Sequence, residues 1–441
     1  MNYVIRQSFV NTKDNASYVK NKLLPFWLGL SCSTNLVYVL YVGNQKVLIS
    51  HLISLIIVII YLFSGDISRD LKLKLSKRII LPMLLFFASI LFSGITAVIY
   101  FLGKNLIIYF YGLVELLAYL LITVATILCY ENKEKIINGF ACGFIVNIIF
   151  AVVSSIQKQA GAVPKIYELF LRFFPQKISG IDAWGKFRPM GLFFESSYFI
   201  GFLIISLFLL VPTDKIDKNS WKKFGFIIMS LILIIFSRSG NILVLFACIV
   251  CFIFFNSKNT STKIRKSTFL YGIVCFLSGF MYITFFGGFE ILIKALKSAV
   301  QGGSIENSVP RWNNIVRIIG VLPNVPLGCG WNMTNTYMMV YQSHLIDLND
   351  KYTRSTSSFL LTLLMEVGLV GAIAYCVLAV NIFITLIEKR SLTQERLGIA
   401  IALLAVILLQ FLNGVKYFPH FMMVFGLALC EVSKICKPVQ E

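Results

Sequence analysis

Runs of about 20 apolar residues recur along almost the whole of this chain, and that is the length a helix needs to cross the hydrocarbon of a bilayer. Inside hydrocarbon every backbone polar group must find its partner within the protein, so a spanning segment is a helix or part of a closed barrel. Apolar runs this long, without strict alternation, read as helices. Of the 441 residues 58% are hydrophobic and 14% are charged, whereas a soluble chain carries about 25% charged residues. Twelve spans are expected, at about 24–42, 47–64, 79–101, 105–130, 136–157, 189–211, 222–236, 240–255, 269–287, 357–387, 397–415 and 417–433. The expected fold class is therefore all-α: a polytopic membrane protein of about twelve transmembrane helices, with residues 1–441 forming a single integral membrane domain. The spans 222–236 and 240–255 are short and meet at Ser237-Arg238-Ser239-Gly240, so they read either as two crossings or as one broken pair. No tandem repeat or separate polar domain stands out, and the run after Pro25 lacks the small-residue site of a cleavable signal peptide.

The formal net charge of +20 does not point to nucleic acid, because the basic residues sit between apolar segments rather than in one patch. That is where the positive-inside rule places them. Among the short connections, one alternate set carries two to five Lys or Arg each and the other set carries one each. Both termini are therefore expected on the cytoplasmic side of the cell membrane. The two long connections, about 158–188 and 288–356, are expected outside. Stretches of that length are usually functional. Pro164 to Pro175 in the first reads as a short amphipathic helix at the outer interface, with a re-entrant hairpin as the alternative. The second is polar but rich in interspersed aromatics and prolines. The ten cysteines form no metal or disulfide framework; Cys248 and Cys251, at i and i+3, read as packing residues. No phosphate-binding loop argues for an ATP-driven pump, and no Asp-x-Asp stands in a cytoplasmic segment to suggest a nucleotide-sugar transferase. The histidines His51, His344 and His420 are scattered, and no metal or other cofactor is expected.

Three glutamates, Glu115, Glu195 and Glu366, stand inside apolar runs. A carboxylate at mid-membrane costs about 2.5–3.5 kcal/mol on insertion scales, so each needs a partner or a wet cavity. Arg188 and Glu195 share a face if their helix starts early, and would then line an outward site or simply pair to fix the helix start. Glu115, mid-span, reads as structural, hydrogen-bonded or protonated, with catalysis as the alternative. Arg238, at a tight outward turn beside Ser237, Ser239 and Gly240, suits an anion at a helix start, with an ordinary interfacial arginine as the alternative. The second long connection adds Arg311, Arg317 and Arg354. The arginine fork fits phosphate bidentately, so several outward arginines converging on one pocket would bind a pyrophosphate. Trp184, Trp312, Trp331, Tyr337 and Tyr341 either stack on sugar faces or form an aromatic belt.

Four segments, in order, resemble the O-antigen polymerase and O-antigen ligase superfamily of bacterial cell-envelope glycosyltransferases. They are Arg188-Pro189-Met190-Gly191-Leu192-Phe193-Phe194-Glu195; Ser237-Arg238-Ser239-Gly240; Arg311-Trp312 leading to Pro326-Leu327-Gly328-Cys329-Gly330-Trp331; and Ser358-Phe359-Leu360 followed by Glu366-Val367-Gly368-Leu369-Val370-Gly371. The resemblance covers about 188–371 by motif and the rest by topology. Ligases of the superfamily usually carry His-Asn just before the last motif, whereas this chain has Ser357 and Ser358. That difference favours polymerase. An Arg–ten residues–Gly spacing found in some polymerases fits Arg317 with Gly328 but not Arg188, since residue 199 is Phe, and chance alone accounts for one such match.

The resemblance implies a glycosyltransferase that needs neither metal nor nucleotide and polymerises undecaprenyl-diphosphate-linked oligosaccharide repeat units into O-antigen, capsule or a similar polysaccharide. It implies a site with Glu195 as candidate base beside Arg188, with Arg238, Arg311, Arg317 and Arg354 on the pyrophosphate. Gly191, Gly328, Gly330 and Glu366 take supporting places. The expected partners are lipid-linked glycans, the bilayer and a chain-length regulator, with no nucleic acid. A flippase of the same lipid-linked unit and a ligase-type transferase are the alternatives. The large outer connection is what separates a transferase from a flippase. On this topology, reporter fusions at Asn219 and Asn335 report opposite sides of the membrane; the same side for both refutes the twelve-span arrangement.

Overall fold

The computed structural model describes residues 19–34, 37–42, 45–64, 73–102, 105–156, 189–193, 195–210, 220–236, 241–257, 318–341, 358–388, 393–412, 416 and 418–436. The protein is built of helices: α1 Leu24–Cys32, α2 Ile49–Phe63, α3 Lys77–Phe101, α4 Leu106–Leu128, α5 Lys133–Ile156, α6 Ser196–Leu210, α7 Ser220–Phe236, α8 Ile242–Ser257, α9 Thr334–Tyr341, α10 Phe359–Leu386, α11 Gln394–Leu412 and α12 Pro419–Ile435. Five stretches among the described residues are long and apolar enough to cross a membrane: Lys77–Phe101, Leu106–Leu128, Tyr130–Ile156, Phe359–Leu386 and Gln394–Phe411. Their outward faces carry Leu, Ile, Val and Phe at 40–70% exposure, for example Leu91, Ile99, Leu117 and Val370. That is the surface of a protein whose solvent is lipid. Each expected span except 269–287, which lies outside the described residues, contains one of these helices.

The first expected span, 24–42, is not one helix. Helix α1 stops at Cys32, preceded by a π-helical turn at Val19–Leu23, and strands β1 Tyr38–Val42 and β2 Gln45–Leu48 follow as an antiparallel hairpin with Leu40 opposite Val47. The run Ser31-Cys32-Ser33-Thr34 ends the helix. Ser31 and Ser33 hydroxyls donate to the carbonyls of Leu28 and Leu30, at 2.9 and 2.6 Å, and Ser33's own carbonyl is taken by the side-chain amide of Asn147 on α5. Tyr-Val-Leu-Tyr-Val then favours a strand. Because an open two-stranded sheet leaves unpaired edges, the hairpin belongs at the interface and not in hydrocarbon.

The helices pack in pairs: α1 on α5, α3 on α10, α4 on α12 and α2, and α6 and α8 on α11. At one end an ionic cluster ties three of them. Lys133 at the start of α5 meets Glu395 of α11 at 2.8 Å and Glu431 of α12 at 3.1 Å; Arg396 approaches Glu431 at 3.5 Å, and Tyr130 donates its phenol to the same carboxylate. At the other end the core is aromatic: His420 stacks on Phe418 with centroids 5.3 Å apart, between Phe193 and Phe202.

Helix α10 is broken in its first half. Gly368 has φ 72° and ψ −176°, a region open essentially to glycine. The break frees carbonyls that a continuous helix would use, and residues 318–341 come in to take them. The N–H of Cys329 donates to Met365 O at 2.7 Å and that of Gly330 to Glu366 O at 3.1 Å, while Leu369 N–H turns to Pro326 O at 3.3 Å. A Cβ on Gly368 would lie 2.5 Å from Pro326 O, and one on Gly328 would lie 2.4 Å from Glu366 O, so the two backbones touch at both glycines. Gly368→Ala should therefore cost about 2 kcal/mol or more, from the disallowed backbone region and the clash together. The measurement is the thermal unfolding midpoint in detergent. Gly225→Ala on α7, where a Cβ meets nothing within 4 Å, is the control and should be neutral or mildly stabilising.

Candidate functional site

The outer connection expected at 288–356 is more than a surface loop. Its described part, residues 318–341, dips between α3, α4 and α10. Trp331 is 1% exposed and meets Phe86 of α3 and lies beside Gly112 of α4, while Gly330 backs onto Ser93 and Ala97. Phe86 stands nine residues into a helix of 25, so Trp331 reaches near mid-membrane, roughly 13 Å from one helix end. The prolines and glycines allow this path. Val325 and Gly328 close successive turns, and Gly328, Gly330 and Asn332 take positive φ of 87°, 110° and 64°. Helix α9 then carries Tyr337 back against Tyr100 and Phe101 at the end of α3.

Glu366 is the carboxylate at the centre of this arrangement. It is 2% exposed, on the turn of α10 that ends at the break. A buried charge without a partner costs several kcal/mol. Lys416, in the connection between α11 and α12, supplies the partner: its ammonium lies 2.8 Å from Oε1 and 2.7 Å from Oε2. Thr334 of α9 donates its hydroxyl to Oε1 at 3.3 Å. Glu115 of α4, half-buried, lies close enough to Lys416 and Glu366 to interact with both charges.

Glu195 occupies a second neighbourhood. Helix α6 begins at Ser196, so the early start that would put Arg188 and Glu195 on one helical face does not occur. Residues 189–193 instead make a turn, with Phe193 N–H on Met190 O and Gly191 at φ 52°, and Glu195 accepts the first bond of α6 from Phe199 N–H at 3.2 Å. The reason is Pro189 and Gly191, which favour a turn, and Asn147, whose side-chain oxygen takes Leu192 N–H at 2.7 Å. Thr34 donates to Leu192 O from the other side. The Glu195 carboxylate accepts a hydrogen bond from Ser197 at the N-terminus of α6, where the helix dipole favours a negative charge. Asn241, three residues after Arg238 in the chain, donates its side-chain amide to Ser197 O at 2.8 Å, so α8 starts beside Glu195.

Gly328, Gly330 and Glu366 are thus brought together around the break in α10, and Gly191 and Glu195 around Asn147 and Asn241. Lys416 and Phe418 link the two groups: Lys416 reaches Glu366, and Phe418 packs on Tyr198 with centroids 4.9 Å apart. Arg188, Arg238, Arg311, Arg317 and Arg354 lie outside the described residues, as do Trp184, Trp312 and the segment Pro164–Pro175. Trp331 and Tyr337 are packing residues rather than sugar platforms or an interfacial belt, for both are buried. Cys248 is buried on α8, as a packing cysteine should be.

Three residues of this geometry carried little signal in the sequence. Lys416 counted only as the single basic residue of a short connection. Asn147 and Asn241 stood as isolated amides, Asn147 within an apolar run. An amide or ammonium among apolar residues at a span end is the cue that could have singled them out.

Among protein families, the chain matches the O-antigen ligase family over residues 224–376, about a third of its length, from α7 through the broken half of α10. No curated protein matches it. The matched stretch holds the serine–arginine turn, the in-dipping segment and the Glu366 motif. It supports the similarity of this integral membrane protein to the O-antigen polymerase and ligase superfamily.

Proposed function

We propose that the protein polymerises oligosaccharide repeat units carried on undecaprenyl diphosphate, at the outer face of the cytoplasmic membrane. The observation that carries this reading is the segment Pro326–Trp331 seated in the break of α10. A transferase must hold two lipid-linked substrates in one orientation, which calls for a rigid outer structure between the arginine-bearing flanks of the connection. A flippase needs a cavity open alternately to both sides, and transporters break helices to line such a cavity; here the break is filled by the connection itself, which favours the transferase.

In the proposed reaction the anomeric carbon of the growing chain leaves its diphosphate and bonds to a hydroxyl oxygen of the next lipid-linked unit. The diphosphate departs with the bonding electron pair, and the hydroxyl proton passes to a base. Negative charge grows on the leaving group, and fixed positive charge there lowers the barrier. Arg238, Arg311, Arg317 and Arg354 are the proposed source of it. Glu195 is the proposed base, with Arg188 beside it in sequence. Its support is position: Asn241 ties the start of α8, three residues after Arg238, to the turn of α6 that carries Glu195. A ligase is the second reading, favoured by the description of the matched family. Ser357, where ligases of the superfamily usually have His, weighs against it.

Deleting the gene and sizing both the surface glycan and the lipid-linked pool separates the readings. Loss of a polymerase leaves single repeat units at the surface where a lipid A core is available, with long chains gone from both pools. Loss of a ligase leaves long chains on the lipid carrier, and loss of a flippase leaves nothing outside. Complementation with Arg238→Lys keeps the charge without the fork and should not restore long chains at normal protein level. Long lipid-linked chains persisting in the deletion strain refute the polymerase.

A further inference from the structure

The Glu366–Lys416 pair has no counterpart in the reaction just described, and its surroundings say what it is for. Lys416 is anchored through its backbone. Its carbonyl accepts the side-chain amide of Gln410 on α11 at 2.7 Å, and the Gln410 oxygen accepts the phenol of Tyr375 on α10. From that fixed point the side chain reaches three residues on two structures at once. The ammonium holds both oxygens of Glu366, lies 3.4 Å from the side-chain oxygen of Asn332, and sits over the Trp331 ring at 4.8 Å from its centroid. Glu366 in turn takes Thr334. Residues 331, 332 and 334 all belong to one turn of the in-dipping segment, so one lysine grips that segment while also neutralising the helix against which it docks.

The ammonium is not a spare anion site. Glu366 already balances it, and Glu115 adds a second carboxyl group within electrostatic reach, so the cluster offers no net positive charge to a phosphate. Nor is charge needed here for stability: a buried ion pair is often replaceable by apolar residues of similar volume at little cost. Where such pairs are attested to matter, they fix one packing register against its alternatives. The register at stake is that of a segment held to α10 by three backbone hydrogen bonds.

We propose that Lys416 is a positioning residue: it locks residues 329–334 in the break of α10 and so sets the place of the outer connection that carries Arg311, Arg317 and Arg354. The consequence for chemistry rests on the polymerase reading; the locking itself does not. A native probe for the lock exists in Cys329, which is fully buried in the segment. Its labelling by N-ethylmaleimide in isolated membranes, read by mass spectrometry of the Cys329 peptide, reports whether the segment stays seated.

Two variants test the lock. Glu366→Gln/Lys416→Met removes the pair without leaving an unpaired charge. Asn332→Gly removes the lysine's hydrogen bond to the segment while keeping the pair and the contact with the Trp331 ring, and suits the positive φ at that position. Protein level should match wild type in both. Cys329 should label about tenfold faster in the double variant, within the range of coupling seen in one contact network, and by a smaller factor in Asn332→Gly. Long-chain polymer should fall in the same order. Unchanged labelling in the double variant means that the pair only balances charge, and overturns the lock. Faster labelling with full polymer overturns its link to the reaction. If the double variant does not accumulate, Asn332→Gly decides, and unchanged protection of Cys329 there refutes the proposal. If deletion of the gene leaves polymer intact, the polymerase reading falls while the labelling result still stands on its own.

Discussion

A helix inside hydrocarbon cannot simply stop, because the carbonyls it releases have no water to turn to. That constraint organises the half of this protein expected to face outward. Gly368 breaks α10 within the membrane, and each freed group that is accounted for finds its partner on the segment Pro326–Gly330. The partnership is mutual. The segment could not lie at this depth without carbonyls to bond, and α10 could not break here without the segment. Two glycines make the approach possible, since a side chain on either would strike the other backbone. Broken helices in membranes are tolerated where protein covers them; here the covering protein is the connection that carries the arginines of the proposed site.

The two ends of the molecule are stabilised differently. At the end expected to face the cytoplasm, Glu431 gathers Lys133, Arg396 and Tyr130 and ties α5, α11 and α12 through a network whose Glu431 and Arg396 are buried. A buried carboxylate of this kind is costly to leave without its partners, so the whole network is needed together. At the other end the fixtures are single buried polar groups among aromatics. Asn147 satisfies Ser33, Gly143 and Leu192 together, so it holds the end of α1 and the turn before α6 with one side chain. Lys416 does the equivalent for the segment and α10. Such groups are costly to leave unpaired, so they define one arrangement more sharply than apolar contacts could. A transferase of the proposed kind needs that sharpness on the side where its substrates meet.

The helices were legible because hydrophobic length is a local property, readable from any window of about 20 residues. The motif glycines were legible as positions that matter, but not in what they do. Gly328 stands 40 residues before Gly368 and Gly330 stands 36 before Glu366, and nothing in the spacing says that these backbones meet. Span 24–42 misled because hydropathy does not distinguish an apolar helix from the apolar hairpin that completes it; the signal was the serine run at 31–33, whose hydroxyls turn back on the helix. The face shared by Arg188 and Glu195 failed for a related reason. Pro189 and Gly191 favour a turn, and the turn delays the helix to Ser196. Lys416 was hidden by its isolation: one basic residue in a short connection fits the positive-inside count, and the count exhausts its apparent meaning.

The separation of charges across the site has a chemical logic. A cation that binds a departing diphosphate must be free of a fixed counter-charge, or the substrate has to displace the counter-charge and leave it unpaired. Lys416 fails that requirement, because releasing it would strand Glu366 at 2% exposure beside Glu115. Arginines on the flanks of the segment meet it better, since their guanidinium groups hold phosphate in two parallel hydrogen bonds and stay charged at any working pH. On this view the buried pair fixes where the flanks begin, and the arginines do the binding. Glu366 then belongs to the frame, and Glu195, at the start of α6 beside Asn241, stays the proposed base.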